Sequence, residues 1–351
     1  MEKILTVTIP SYNVEKYLRE TLDSFLSKEV LDEIEILVVN DGSKDTTAEI
    51  GTEYERNYPG TVRLITKENG GHGSTINRGI LEAQGRYFKV VDGDDWVDTK
   101  AFVQMVHCLK TSAADYVVTN YYKVNDITKE KKAVTFPYLK SNPICTFEEA
   151  SQAEIPMHAL VIRTALLKEH HIRLDEHCFY VDNEYITFPV PYVKSVEYYD
   201  LTVYMYRLAV AAQSVSMKGF QNHLADHVKV TLRLAEFAEE YRKRTSGQIN
   251  DAAQNNSLLS GVKFTEKKAA YLLNQAAVMV GDQAGIYASF PAGDIEIKKQ
   301  FIDFDRTVKE ISIEVYKRAG EKSHMLKALR KHDFKNYQFW VTLSKIRARM
   351  N

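Results

Sequence analysis

The sequence predicts an α/β fold in which a mostly parallel sheet is flanked by helices, followed by a C-terminal helical region. Three observations predict it. Through the first hundred residues, short β-branched runs alternate with segments of helical period, the order that builds a parallel sheet covered by helices. Polar loops rich in Asp, Asn and Gly stop three of those runs. From about Gly219 onward the period is helical, with Pro291-Ala292-Gly293 as its clearest break.

Taken in order, Ile4–Ile9 is a short apolar run ending at Pro10 and reads as a buried strand. Leu18, Leu22, Phe25 and Leu26 then share one helical face. Ile34–Val39 is a second strand, stopped by the turn cluster Asn40-Asp41-Gly42-Ser43. Thr46–Tyr58 is helical and ends at Pro59-Gly60, and Val62–Ile65 is a third strand. The loop Asn69–Gly73 precedes a helix to about Gln84. Tyr87–Val91 is a fourth strand, ending in Asp92-Gly93-Asp94-Asp95. In parallel sheets ligands bind beyond the carboxyl ends of the strands, so Pro10–Asn13, Asn40–Ser43 and Asp92–Asp95 are expected to converge on one edge. Residues 106 to about 216 are mixed: Tyr116–Tyr122 reads as a strand, Asn125–Lys132 as a hairpin or loop, and Pro189-Val190-Pro191 breaks any helix there.

A chain of 351 residues suits two domains, or one large domain with an appendage. Apolar residues make up 44% and charged residues 26%, as in a globular protein with a real core. The balance of 46 basic against 47 acidic residues gives no sign of nucleic-acid binding, so an acidic substrate has to be held locally. Cys108, Cys145 and Cys178 lie far apart, which argues against a disulfide framework or zinc site and fits a reducing cytoplasm. The N-terminus lacks the pattern of a signal peptide, and no apolar run approaches the ~18 residues of a membrane span.

Two carboxylates one residue apart at a strand end project to the same side. Their repulsion is unfavourable unless a cation compensates, and Mg²⁺ or Mn²⁺ take oxygen ligands, commonly carboxylates with substrate phosphates. Asp92–Asp95 therefore reads as a metal–diphosphate site. The structural alternative is that Asp94 or Asp95 caps the helix begun near Asp98. Asp41 can accept from a nucleobase N–H or a ribose hydroxyl, or serve only a turn. The Gly-rich loop lacks a P-loop ending and the dinucleotide G-x-G-x-x-G pattern.

Ile9-Pro10-Ser11-Tyr12-Asn13, Val39-Asn40-Asp41-Gly42-Ser43-Lys44-Asp45, Asn69-Gly70-Gly71-His72-Gly73 with Asn77-Arg78-Gly79, and Val91-Asp92-Gly93-Asp94-Asp95-Trp96 occur in this order. Together they resemble the family 2 glycosyltransferases, closely over residues 3–105 and more loosely to about 216. The resemblance implies the GT-A fold, a Rossmann-like, mostly parallel sheet flanked by helices. It implies a nucleotide-sugar-binding half at 1–105 and an acceptor-binding half at 106–216. Residues 217–351 are then a helical region for oligomerisation or for membrane-surface or acceptor contact. Pro10, Tyr12 and Asn13 match the segment against the nucleotide base, and Asp41 the acid on the base or ribose. Gly71 and Asn77 lie in the Gly-rich loop and its helix; packing is an equal reading for Asn77. Asp92 and Gly93 open the metal motif, with Asp92 on the ribose side and Asp94 on the metal. Asp95 is the structural member. The implied cofactor is Mn²⁺ or Mg²⁺, with a UDP-sugar as donor.

Inverting members need a general base on the acceptor side. Phe179-Tyr180-Val181-Asp182-Asn183-Glu184-Tyr185 resembles that segment, with Asp182 as the base and Glu184 as the competing candidate. The implied reaction is a single in-line displacement. It moves a hexose or N-acetylhexosamine to a hydroxyl of a cell-surface polysaccharide, lipid-linked oligosaccharide or glycoprotein glycan. Val203-Tyr204-Met205-Tyr206-Arg207 followed by Gln213–Ser216 resembles the segment that closes the catalytic domain. Leu208–Ala212 stands where relatives often carry a basic residue and glycines. This supports the alternative of a catalytically impaired sugar-nucleotide-binding or assembly subunit. A nucleotidyltransferase is disfavoured because Ser11-Tyr12-Asn13 is not a Gly-rich basic loop. Between Lys317 and Arg349, ten Lys or Arg face two acids, with aromatics interleaved. That segment suits peripheral contact with the inner face of a membrane, packing on a second subunit, or a solvated basic face. The expected location is cytoplasmic.

Overall fold

Strands β1 (Leu5–Ser11) and β2 (Ile34–Asn40) are buried at every position, which is why both read as unbroken apolar runs rather than alternating ones. They pair in parallel, Leu5 opposite Ile34 through Ser11 opposite Asn40. The computed structural model describes residues 2–141, 143–208, 216–249 and 258–350, and the chain divides into two compact units, Met1–Ala211 and Ala212–Asn351.

In the first unit, α1 (Leu18–Asp23) follows β1, and α2 (Thr47–Asn57) links β2 to β3 (Val62–Thr66). Next come α3 (His72–Glu82) and β4 (Tyr87–Val90), which pairs in parallel with the other side of β1. After β5 (Trp96–Val97) and α4 (Thr99–Thr111) come β6 (Tyr116–Asn125), β7 (Lys131–Val134), β8 (Cys145–Thr146) and α5 (Phe147–Ala150). The unit closes with β9 (Leu160–Arg163), α6 (Thr164–Glu169), α7 (Asp182–Thr187) and β10 (Ser195–Leu208). One ten-stranded sheet holds all of them, in the order β3-β2-β1-β4-β9-β6-β10-β5, with β7 on β6 and β8 on β10. The sheet is mixed: β9 runs antiparallel to both β4 and β6, while β10 runs parallel to β6.

Asn125–Lys132 is indeed a hairpin, joining β6 to β7. Strands β9 and β10 carry weaker signals. β9 has four residues, and register shifts between Tyr199 and Tyr204 interrupt the two-residue period of β10. The stop at Pro189–Pro191 falls after α7, in a short 3-10 turn at Val190–Tyr192. The helix-capping alternative for the acidic cluster is set aside, because Asp98 caps α4 by accepting from the Ala101 N–H at 2.9 Å.

The second unit contains α8 (Met217–Asn222), α9 (Leu224–Thr245), α10 (Glu266–Ser289), α11 (Ile295–Ile311), α12 (Ile313–Lys322), α13 (His324–Lys331) and α14 (Tyr337–Met350). Pro291-Ala292-Gly293 falls between α10 and α11, as its sequence predicts. Of the basic tail, Arg318 donates to Asn274, Arg330 pairs with Asp305 at 2.6 Å, and Lys345 donates to the Phe290 carbonyl. Lys317, Lys322, Lys327, Lys331 and Lys335 are exposed; Phe334, Tyr337 and Val341 are buried, and Phe339 is exposed. No helix among the described residues is long and apolar enough to cross a membrane. Cys108, Cys145 and Cys178 are free thiols, and only Cys178 is buried.

Candidate active site

Because β2, β1 and β4 are parallel neighbours, their carboxyl ends present Asp41, Tyr12-Asn13 and Asp92–Asp95 along one edge of the sheet. The first two loops are stitched together. Asn13 Oδ1 accepts the Lys44 N–H at 2.8 Å, and its own N–H donates to Ser43 Oγ at 3.0 Å. Asn13 sits at φ 53°, a left-handed conformation that asparagine tolerates better than most residues. Tyr12, next to it, is 48% exposed.

Asp41 is buried and its carboxylate organises the Gly-rich loop. Oδ1 accepts from Lys67 Nζ at 2.7 Å and Gly70 N at 2.9 Å, and Oδ2 accepts from Gly71 N at 2.8 Å. A charge this buried requires such partners. Asn77, on α3, engages the Leu174 peptide with both ends of its carboxamide.

The acidic turn closes onto β1. Gly93 N–H donates to the Pro10 carbonyl at 3.2 Å, and a Cβ at Gly93 would stand 2.8 Å from that oxygen, so the approach requires glycine. Within the turn the three aspartates differ. Asp95 is locked, its oxygens accepting the Tyr204 hydroxyl at 2.6 Å and the Arg207 N–H at 2.7 Å. Asp92 Oδ1 meets His72 Nε2 at 2.8 Å. Burial alone would raise Asp92, but His72 holds it below the usual carboxylate range. Asp94 has less relief: burial first, then the Asp92 charge, push its carboxyl up to about 6, against weaker lowering by its own backbone, Arg207 and His72.

His72 opens α3. Burial would lower its pKa, yet Asp92 and then Asp182 and Asp94 raise it above the ordinary histidine value. Asp182, the first residue of α7, is raised by burial, with His72 opposing and Asp92 adding. The carboxylates expected on the donor side and the base expected on the acceptor side are therefore within electrostatic reach of one histidine. Glu184 is fully buried and accepts the Asp175 N–H at 2.8 Å, so it serves the backbone rather than open space.

Arg207 is also committed. It donates to Glu20 and Asp126 at 2.6 and 2.7 Å and to the Asp94 carbonyl at 2.6 Å, with its guanidinium over Trp96 and Tyr17. Residues 209–215, which include most of the departure at Leu208–Ala212 and the segment from Gln213 to Ser216, lie outside the described residues.

Asp92, Asp95 and His158 each offer a ligand atom within 4.8 Å of the others. His158 fits a cation: burial pushes its pKa down to about 4, so the ring is neutral, and its Nδ1 is buried without a hydrogen-bond partner. Asp95 fits less well, since both its oxygens already face fixed donors. Asp94 stands outside this trio; its carboxyl, like that of Asp95, is raised, and a nearby cation would favour the ionised form of both.

Residues 6–170 match the sequence model of glycosyl transferase family 2. That segment belongs to the family. It is similar to the Bacillus subtilis glycosyltransferase EpsJ, at 33% identity over 152 residues, covering 43% of each protein. It is also similar to the B. subtilis putative glycosyltransferase EpsH, at 28% identity over 253 residues, covering 68% of this chain and 72% of EpsH. The chain thus spans less than half the length of EpsJ. In fold it resembles the crystal structure of S. aureus TarS 1–349 in complex with UDP-GlcNAc, with a TM-score of 0.65 at 18% identity, covering 97% of this chain and 91% of that one. The fold is accordingly GT-A-like.

Sequence reasoning missed His72, Lys89 and His158, which the fold brings to the same edge or its supporting strand. His72 is visible in the Gly70–Gly73 loop, and its place at a helix start opposite an acidic strand end was the available signal. Lys89 is fully buried on β4, donating to the His158 and Leu160 carbonyls at 2.8 and 3.3 Å, and burial lowers its pKa to about 7. His158 lies in a short turn before β9, packed on Tyr121, Tyr204 and Tyr206, and nothing local in the sequence marks it.

Proposed function

We propose that this family 2 glycosyltransferase moves a hexose or N-acetylhexosamine from a UDP-sugar onto a hydroxyl of a growing glycan, with inversion at the anomeric carbon. The observation that carries the reading is His72, which meets Asp92 at 2.8 Å and lies within electrostatic reach of Asp94 and Asp182, and this supports donor and acceptor chemistry at one site. Family membership and the UDP-GlcNAc held by TarS support a uridine diphosphate donor.

The acceptor hydroxyl forms the new C–O bond as the sugar's bond to the diphosphate breaks, and the electron pair leaves with UDP. Asp182 takes the hydroxyl proton; a carboxylate whose pKa is raised is better matched to this task than an ordinary one. Asp94 and Asp92 would hold Mn²⁺ or Mg²⁺, which supplies charge compensation for the departing diphosphate. Pro10, Tyr12, Asn13, Asp41 and the Gly71 loop frame the nucleoside end, and fixed positioning of both substrates removes much of the entropic barrier. The exposed lysines of α12 and α13 suit an anionic membrane face, where a lipid-linked acceptor would lie.

A coupled assay for UDP release tests this, run over several UDP-sugars with Mn²⁺ and repeated with EDTA. Release that needs both an acceptor glycan and the metal is expected. Binding of UDP without release from any donor would instead favour a sugar-nucleotide-binding or assembly subunit.

A further inference from the structure

We infer that Asn77 is a positioning residue for Asp182, acting through the chain segment 174–182 rather than through the nucleotide. The inference rests on the proposed role of Asp182 as base. Asn77 Oδ1 accepts the Leu174 N–H at 2.8 Å, and Nδ2 donates to the Leu174 carbonyl at 2.9 Å and to Glu176 Oε1 at 3.2 Å. One carboxamide thus grips both polar groups of one residue, as a paired strand would. It does so across 97 positions of sequence.

A second contact lies one turn earlier on the same helix face. A Cβ at Gly73 would stand 2.0 Å from the Asp175 carbonyl oxygen, so α3 and the segment meet backbone to backbone. A third follows at His177, whose N–H donates to the Gly70 carbonyl at 2.5 Å. From the other side, Glu184 on α7 accepts the Asp175 N–H. The segment is clamped between α3 and α7.

The clamp has something to hold. His177 and Tyr180 adopt left-handed backbone angles, φ 52° and 66°, which non-glycine residues take only where the surroundings over-determine them. Both precede Asp182 by five residues or fewer, so relaxation of either would swing the base. Asp41 extends the linkage to the donor side, because it fixes the N–H groups of Gly70 and Gly71 in the same loop that holds His177. The loop facing the nucleotide and the segment bearing the base are therefore one framework, and Asn77 is the side chain that joins them.

The test is Asn77→Ala, with Gly73→Ala as a second variant striking the neighbouring contact, each confirmed as folded by its melting curve. Hydrogen exchange by mass spectrometry should show faster exchange over residues 174–184 and little change in β1 and β2. Turnover with acceptor should fall about 10- to 100-fold in both, as expected for a misplaced reacting group, while in Asn77→Ala the Kd for UDP with Mn²⁺, measured by calorimetry, stays within about twofold of wild type. Unchanged exchange over 174–184 in both variants would overturn the inference. So would UDP affinity falling in step with turnover, which would make Asn77 a donor-site residue. If wild type transfers no sugar at all, the proposed function fails, and the exchange measurement still decides whether Asn77 holds the segment.

Discussion

Asp92 and Asp182 bear the same functional group within reach of the same histidine, yet the chain holds them by different means. Asp92 follows β4, a strand buried at every position and paired in parallel with β1, so the sheet itself sets its place. Asp182 follows irregular chain in which His177 and Tyr180 are left-handed, and that chain is held at Leu174 by Asn77 and at Asp175 by Glu184, which accepts its N–H. The edge bearing Asp92 inherits the rigidity of the sheet. The segment bearing Asp182 depends on a few specific contacts, each replaceable, and substitutions should separate the two.

The largest effect is expected from Asp182→Asn. Loss of a general base should reduce transfer by about 10²- to 10⁴-fold, with UDP binding largely retained in calorimetry. Near-wild-type turnover would assign the base elsewhere and dissolve the contrast. Asp94→Asn should do the reverse, weakening Mn²⁺-dependent UDP binding by at least the ~10- to 100-fold that outer-shell partners of metals usually cost.

The same variant carries a pH signature. The folded-state pKa of Asp94 is raised from 3.8 to about 6, so the folded protein binds that proton more tightly than the unfolded chain. Metal-free wild type should therefore lose thermal stability relative to Asp94→Asn as pH rises from about 4 to about 6. Added Mn²⁺ should reduce the loss; parallel pH curves for the two proteins would contradict the assignment.

Gly93→Ala tests how firmly the sheet end is packed. A methyl group 2.8 Å from the Pro10 carbonyl should cost about 1–3 kcal/mol, read as a lower Tm together with weaker donor binding. The smallest effect on turnover with a soluble acceptor is expected from Lys327→Glu combined with Lys331→Glu and Lys335→Glu. These changes should lower co-sedimentation with anionic vesicles while leaving UDP release intact. Unchanged sedimentation would remove the membrane reading of the tail.

The same comparison explains what the sequence made legible. β1, β2, β3 and β4 announce themselves because a buried parallel strand is a run of apolar residues and its loop is a cluster of polar ones. The positions of Asp41, Asp92 and Asp94 at the strand ends were readable on that basis. Asp182 was readable only through the resemblance of its neighbours, because its placement depends on Asn77, a hundred residues earlier. His158 was not readable at all: its partners Tyr121, Tyr204 and Tyr206 come from β6 and β10, and no local period links them. Arg207, at the end of the Val203–Arg207 segment, is claimed by Glu20 and Asp126, partners remote in sequence.

The reversed direction of β9 has a consequence for how such an enzyme can change. Its neighbours β4 and β6 run together and point their exits one way; β9, antiparallel to both, delivers its beginning there, and so places His158 beside the aspartates. Lengthening or reshaping the chain before Met157 therefore alters the site, whereas the same change after Arg163 falls on the opposite side of the sheet. The connection between β8 and β9 is thus a place where change reaches the aspartates without altering the parallel strands that carry them.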